Sequence, residues 1–220
     1  GDKFIYFPLQ LEPERTVQIP APYYTNQLEV IRSIAKSLPV ECRLCVKEHP
    51  AQKLSAWRPT SFYNEVLKMP NVEMYHPTVS NNMMIENCSL VITITGSSGL
   101  EAIINEKPCI LLANTTYSKI SVAVHQLDNI EELPTTIRKM LKIKPKLDEL
   151  KKYFRIIESK IFEHDEIGLS MKMNNYFYYD GFLFDTEISL LKMKLFLKEN
   201  QKELEKVSLE YEKKFNKYKN

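Results

Sequence analysis

An apolar stretch, Leu90-Val91-Ile92-Thr93-Ile94, runs directly into Thr95-Gly96-Ser97-Ser98-Gly99-Leu100-Glu101-Ala102. The first part reads as a buried strand and Ser98 to Asn105 as a helix, so the small residues between them form a strand-to-helix loop. Gly96 and Gly99 allow the backbone to approach a ligand closely. Ser97, Ser98 and Gly99 present N–H groups at the helix start, where the dipole favours an anion. The chemistry this suits is a phosphate cradle at the carboxyl end of a strand. It is not a Walker loop, since no Gly-Lys-Ser/Thr follows, and it does not sit on the first strand as the dinucleotide fingerprint does. The plain alternative is a tight turn with a serine cap. Glu101, in the first turn of the helix, can favour the dipole or accept the two hydroxyls of a ribose.

A second candidate is Lys47-Glu48-His49-Pro50, directly after the apolar run Cys42 to Val46. A lysine and a histidine at a strand end can bind phosphate and neutralise a leaving nucleotide, and Pro50 pushes His49 toward an extended conformation. If the sheet is parallel, both segments lie on the same edge. Alone, a His-Pro pair is as often structural as functional; beside a serine cradle it gains weight.

The elements that must position these groups alternate. Phe4-Ile5-Tyr6-Phe7 is a short strand closed by Pro8, followed by a loop rich in proline (Pro13, Pro20, Pro22). Asn26 is placed to cap a helix whose Leu28, Ile31, Ile34 and Leu38 follow helical spacing. Cys42 to Val46 is the second strand, Ser61 to Lys68 a short helix, Val72 to Tyr75 the third strand, and Asn81 to Asn87 another short helix. After the cradle, Pro108 to Leu112 and Ile120 to Val124 read as strands, and Ile130 to Leu141 as an amphipathic helix. Alternating β and α runs of this length predict an α/β, Rossmann-like parallel sheet with helices on both faces. Continuous apolar strands agree, because such strands are buried on both sides.

Beyond residue 142 lysines become dense and helical runs dominate, Lys146 to His164 and then Leu183 to Tyr218. Between them lie Tyr176 to Tyr179 and an Asp180-Gly181 turn. The expected organisation is therefore a domain over 1–142 and a helical extension over 143–220. The last helix aligns Leu204, Val207, Tyr211, Phe215 and Tyr218 on one face. From Lys192 to Lys219 it carries nine lysines against five glutamates. The plainer reading is a solvated helix packing its stripe on the domain or on a second chain; the sharper one is a peripheral membrane contact.

Bulk properties exclude several classes. Of 220 residues, 44% are apolar and 26% charged, ordinary globular usage, and the net charge of +2 gives no argument for nucleic acid. No window resembles a membrane span or a signal peptide. Cys42 and Cys45 form a C-x-x-C, but residues three apart on a strand face opposite sides, so the thiols should diverge. No second pair with zinc spacing exists. Scattered thiols fit a reducing, cytoplasmic setting.

The strand-end His-Pro followed some fifty residues later by a Ser-Ser loop resembles the bacterial sialyltransferases and the capsule polysaccharide Kdo transferases. The likeness is carried by Phe7-Pro8-Leu9-Gln10, Lys47-Glu48-His49-Pro50, Thr95 to Ala102, and Lys107-Pro108, in that order, over roughly residues 3 to 140. It implies the nucleotide-binding half of a GT-B glycosyltransferase whose donor is a CMP-linked acidic sugar and whose acceptor is a glycan or glycolipid. By the resemblance, His49, with Ser97 and Ser98, contacts the CMP phosphate and is the catalytic candidate; Glu101 contacts the ribose. Gln10 and the loop through Arg15 line the donor side, and Tyr75-His76-Pro77 lies near the base. No bound cofactor and no metal is implied. The acidic motif of these enzymes belongs to an amino-terminal acceptor domain. None precedes Gly1, and Asp180-Gly181 is no replacement, so this chain alone is expected to show little or no transfer. Three other readings stay open: a CDP-alcohol polyol-phosphate transferase of teichoic-acid type, a UDP-sugar epimerase, and a non-catalytic nucleotide-binding or assembly module.

Overall fold

The computed structural model describes residues 3–52, 57–178 and 188–217. Strand β1 spans Lys3–Pro8 and is followed by a short helix, α1 (Arg15–Gln18), within the proline-rich loop. Helix α2 (Gln27–Ser37) starts where Asn26 accepts the N–H of Glu29, the expected side-chain cap. Then come β2 (Cys42–Lys47), α3 (Thr60–Leu67), β3 (Val72–Tyr75), α4 (Asn81–Asn87), β4 (Leu90–Thr93), α5 (Ser98–Ile104), β5 (Cys109–Leu111), β6 (Val124–Gln126) and α6 (Leu133–Met140).

The six strands form one parallel sheet in the order β3-β2-β1-β4-β5-β6. The period of two along each strand splits its side chains between two cores. Ile5, Phe7, Leu44, Val46, Leu90, Ile92 and Ile110 face one core, with α2, α3 and α6. Tyr6, Cys45, Val91, Cys109 and Leu111 face the other, with α4, α5 and the start of α7 (Leu147–Glu158). Burial on both faces is why these strands read as unbroken apolar runs. Cys42 lies in the first core and Cys45 in the second, so the C-x-x-C thiols point to opposite sides of the sheet. All four cysteines are free and buried, and burial pushes the Cys45 thiol up to about 11 and that of Cys88 to about 12.

Two boundaries differ from expectation. The last strand is Val124–Gln126, not 120–124. Residues before it are drawn into turns, with Ser118 Oγ accepting the Thr115 N–H and Ile120 N–H bonding Tyr117 O. The helix expected over 130–141 begins as a 3-10 turn at Ile130–Glu132, capped by Asn129, and becomes α-helical at Leu133, ahead of Pro134.

The chain divides into two compact units, 1–155 and 156–220. The first keeps most of α7, whose Leu150 and Tyr153 pack on the second core. In the second unit the helix expected through His164 stops at Glu158, and α8 (Glu166–Phe177), unforeseen, starts where Asp165 accepts the Gly168 N–H. The long terminal helix is two, α9 (Leu190–Glu199) and α10 (Gln201–Lys217). Buried Asn200 separates them: its N–H and its side-chain amide both bond Phe196 O. Tyr176 and Phe177 each pack edge to face on Phe196, at 5.4 and 4.9 Å between ring centroids. Leu190, Leu191, Ile167 and Phe215 remain exposed, and α10 buries no residue. The Asp180-Gly181 turn lies outside the described residues. No described helix is long and apolar enough to cross a membrane.

Candidate functional site

In the order β3-β2-β1-β4-β5-β6 the connections diverge between β1 and β4, and a parallel sheet opens a crevice at the carboxyl ends of the strands on either side of that point. A cleft of about 370 Å³ lies there. Its walls are the end of β1 (Pro8, Leu9, Gln10), the end of β2 (Lys47 to Pro50), the loop Thr95 to Ser98, Glu101, Asn81, and Glu14 and Thr16 around α1. The two segments singled out by their residue types therefore meet on one edge.

Lys47 ends β2 with its side chain in the cleft wall and is only 3% exposed. Burial lowers its pKa from 10.5, opposed by the charges of Glu101 and Glu48. Among the described residues no carboxylate comes within ion-pair distance of its ammonium. His49 is half-buried, and desolvation lowers its pKa from 6.5. Its Nδ1 accepts the Ala51 N–H at 3.2 Å, which places the proton of the neutral ring on Nε2 and leaves that nitrogen as a donor.

The loop after β4 is shaped by Gly96. A Cβ there would lie 2.8 Å from Gln10 Nε2 and 2.9 Å from Thr93 Oγ1, so the glycine permits the close approach of the β1 and β4 ends. Tyr117 donates its hydroxyl proton to Gly96 O, and Thr93 Oγ1 accepts the Gly96 N–H. Ser97 stands at the N-cap position without making a capping bond; its hydroxyl donates to Glu101 Oε1 at 2.9 Å. The loop is therefore not a serine-capped turn. Ser98 opens α5, so its N–H has no intrahelical acceptor. The other oxygen of Glu101 accepts from Asn81 Nδ2 at 2.5 Å.

A buried network that composition did not reveal holds the two strand ends together. Glu48, 1% exposed, accepts from Arg58 Nε (2.9 Å), the Tyr63 hydroxyl (2.9 Å) and the His49 N–H (2.6 Å). Arg58 also donates to Gln10 O at 2.6 Å and pairs with Glu12 at 2.5 Å. Gln27, the first residue of α2, brackets Gln10 from the other side through the Gln10 N–H and carbonyl. Glu48 is thus engaged by Arg58, and it and Glu101 act on Lys47 only beyond ion-pair distance.

Gln10, Lys47, His49, Gly96, Ser97, Ser98 and Glu101 are thus brought together. Three expected residues are placed elsewhere. Arg15 is exposed on α1, and its neighbours Glu14 and Thr16 line the cleft. Gly99 faces the sheet, where a Cβ would meet Tyr117 and Cys109 within 2.8 Å; its role is packing. His76, at the end of β3, is exposed outside the cleft lining, with Nδ1 engaged by Thr78 and its ring 6.3 Å from Trp57. Asn81 and Arg58 were not foreseen; the signal available for Asn81 was its place at the start of a helix following a strand end. Among the described residues no group of three or more His, Cys, Asp or Glu side chains is placed to hold a metal ion.

The UDP-GlcNAc 2-epimerase of Methanocaldococcus jannaschii, in complex with UDP-GlcNAc and UDP, is similar in structure: TM-score 0.50, 18% identity, 72% of this chain and 45% of that one. KpsC, the beta Kdo 2,7 transferase of Thermosulfurimonas dismutans, matches with TM-score 0.46 and 22% identity over 60% of this chain and 44% of that one. The chain spans less than half the length of these structures. The sheet is Rossmann-like and matches one half of a GT-B fold. A search of curated proteins gives no match. The family profile described as capsule polysaccharide biosynthesis protein matches residues 1–126, all six strands and the whole cleft. The chain belongs to the capsule polysaccharide biosynthesis protein family.

Proposed function

We propose that the chain is the donor-binding half of a glycosyltransferase of surface polysaccharide synthesis, and that its cleft holds a CMP-activated acidic sugar of the Kdo or sialic acid type. The observation that carries this is Lys47, a buried lysine with no carboxylate within ion-pair distance among the described residues, in the wall of a switch-point cleft. Burying a lone cation costs several kcal/mol. An anionic ligand supplies the missing charge, and His49 Nε2, the Ser98 hydroxyl and the Ser98 N–H are donors that a phosphate can use in the same wall.

In the assembled enzyme the bond between sugar and CMP breaks through an oxocarbenium-like transition state, and the departing phosphate gathers charge beside Lys47, His49 and Ser98. Donors already held in place stabilise that charge, each typically by about 100- to 1000-fold in rate. Glu101 takes the ribose hydroxyls and Gln10 the donor side. The base that activates a glycan or glycolipid acceptor comes from an acceptor-binding half, so this chain by itself binds donor without transferring it. Free, buried cysteines accord with a cytoplasmic location. Leu190, Leu191, Leu195 and Leu197 are exposed beside Lys192, Lys194 and Lys198 on α9; a solvated helix that packs on a second chain is the plainer reading, and peripheral contact with the inner face of the membrane the alternative.

Phosphate and ribose are common to CMP, CDP and UMP, and the epimerase resembled in fold is in complex with UDP. Cytidine is assigned from the likeness of the His-Pro and Ser-Ser segments to CMP-sugar enzymes. Calorimetric titration with CMP, CDP and UMP, with Ser98→Ala as control, tests it. Preferred binding of CMP, reduced by the substitution, is expected. Preference for CDP would favour the polyol-phosphate reading, and preference for UMP would overturn the CMP assignment.

A further inference from the structure

We infer that Tyr6 and Asn81 set the cleft's selectivity for a vicinal cis-diol, so that it takes a ribonucleotide in preference to the 2′-deoxy counterpart; this rests on the nucleotide reading above. Asn81 lines the cleft and touches the carboxylate that faces it, whereas Tyr6 acts from behind, fully buried in the sheet. The Tyr6 hydroxyl lies 2.6 Å from Asn81 Oδ1, and Asn81 Nδ2 lies 2.5 Å from Glu101 Oε2. The direction of these bonds is forced. An ionised carboxylate only accepts, so the amide must turn its NH₂ toward Glu101 and its oxygen toward Tyr6, which must then donate. Burial, with the Glu101 charge behind it, raises the Tyr6 pKa far above 10, so the phenol keeps that proton.

Ser97 fixes the other oxygen of Glu101 at 2.9 Å. A carboxylate offers about four acceptor positions. One on each oxygen is used by the protein, which leaves a matched pair, one per oxygen, for two adjacent hydroxyls. A cis-diol satisfies both at once; a sugar lacking one hydroxyl leaves a charged acceptor without its donor. Without Asn81 the carboxylate turns, and the pair of free positions no longer faces the ligand together.

The test is calorimetric titration of the full chain with CMP and 2′-deoxy-CMP, for the unaltered protein, Tyr6→Phe and Asn81→Ala. The unaltered protein should prefer CMP by about tenfold or more, the loss expected for a hydrogen bond to a charged group. In both variants the preference for CMP over 2′-deoxy-CMP should fall below about threefold. Thermal transitions identify a variant that has lost its fold, and Asn81→Ala, at the half-buried start of α4, keeps the test open if Tyr6→Phe does not fold. Equal affinity of the unaltered protein for both nucleotides overturns the inference and leaves the nucleotide reading standing. Equal weakening of both nucleotides by both folded variants does the same. Binding of neither nucleotide to the unaltered protein overturns the nucleotide reading itself, and the inference with it.

Discussion

Replacing Lys47 by Met removes one charge and keeps nearly the same apolar stem, and it should move stability and affinity in opposite directions. Lys47 is 3% exposed and lacks an ion pair among the described residues. Exchange of buried charge for a well-packed apolar group is commonly neutral to stabilising by about 1–4 kcal/mol, and the low end fits here because Glu101 and Glu48 partly offset the charge. A gain of about 1 kcal/mol corresponds to a rise of about 2–4 °C in Tm for a unit of this size. Affinity for CMP should fall by about 10- to 150-fold, the equivalent of about 1.5–3 kcal/mol for a charge-assisted hydrogen bond. The pH dependence has a definite sign. Because the folded-state pKa of Lys47 lies below 10.5, the cost is present while the side chain is charged in the fold and is relieved as pH rises through that depressed value. The stability advantage of Lys47→Met should therefore shrink at alkaline pH. Differential scanning calorimetry and CMP titration of the two proteins read both effects. A lower Tm together with unchanged CMP affinity would refute the reasoning.

Three further outcomes follow from the same geometry. Arg58→Ala strands the buried Glu48 carboxylate and should cost about 3–5 kcal/mol in denaturant unfolding. Arg58→Lys should recover little, because a compact ammonium lacks the planar fork that reaches Glu48 and Gln10 O from two nitrogens; full recovery would count against the role given to that fork. Gly99→Ala should lower stability by about 1–3 kcal/mol by crowding Tyr117 and Cys109 while CMP affinity stays close to the original, and a binding defect without loss of stability would return Gly99 to the cleft. The four thiols should react with a disulfide reagent at neutral pH only on unfolding, since all are buried and burial raises their pKa values; rapid labelling of the folded chain would contradict the packing.

Much of the first unit was legible because its signals are local. Phe4 to Phe7, Cys42 to Val46 and Leu90 to Ile94 are apolar without a break because both faces of the sheet are covered, and Asn26 caps the helix its position announces. The meeting of the Lys47–Pro50 and Thr95–Glu101 segments followed from a single assumption, that the sheet is parallel. What the pattern lacked was tertiary. The order of strands has no local signature, so the crevice between β1 and β4 could not be placed beforehand. Arg58 reads as an ordinary surface arginine until Glu48 and Gln10 close around it. Gly99 has the same type and spacing whether a phosphate or Tyr117 lies against it. Helix α8 was missed because Ile167, Met171 and Met173 stay exposed and form no buried stripe, although Asp165 was a readable cap.

The most direct test of the claim that this cleft is a nucleotide-phosphate site is a crystal structure of the chain with CMP. The phosphate should lie within about 2.7–2.9 Å of Lys47 Nζ, with His49 Nε2 as a second donor. CMP bound with its phosphate away from Lys47, or bound outside the β1–β4 crevice, would contradict it.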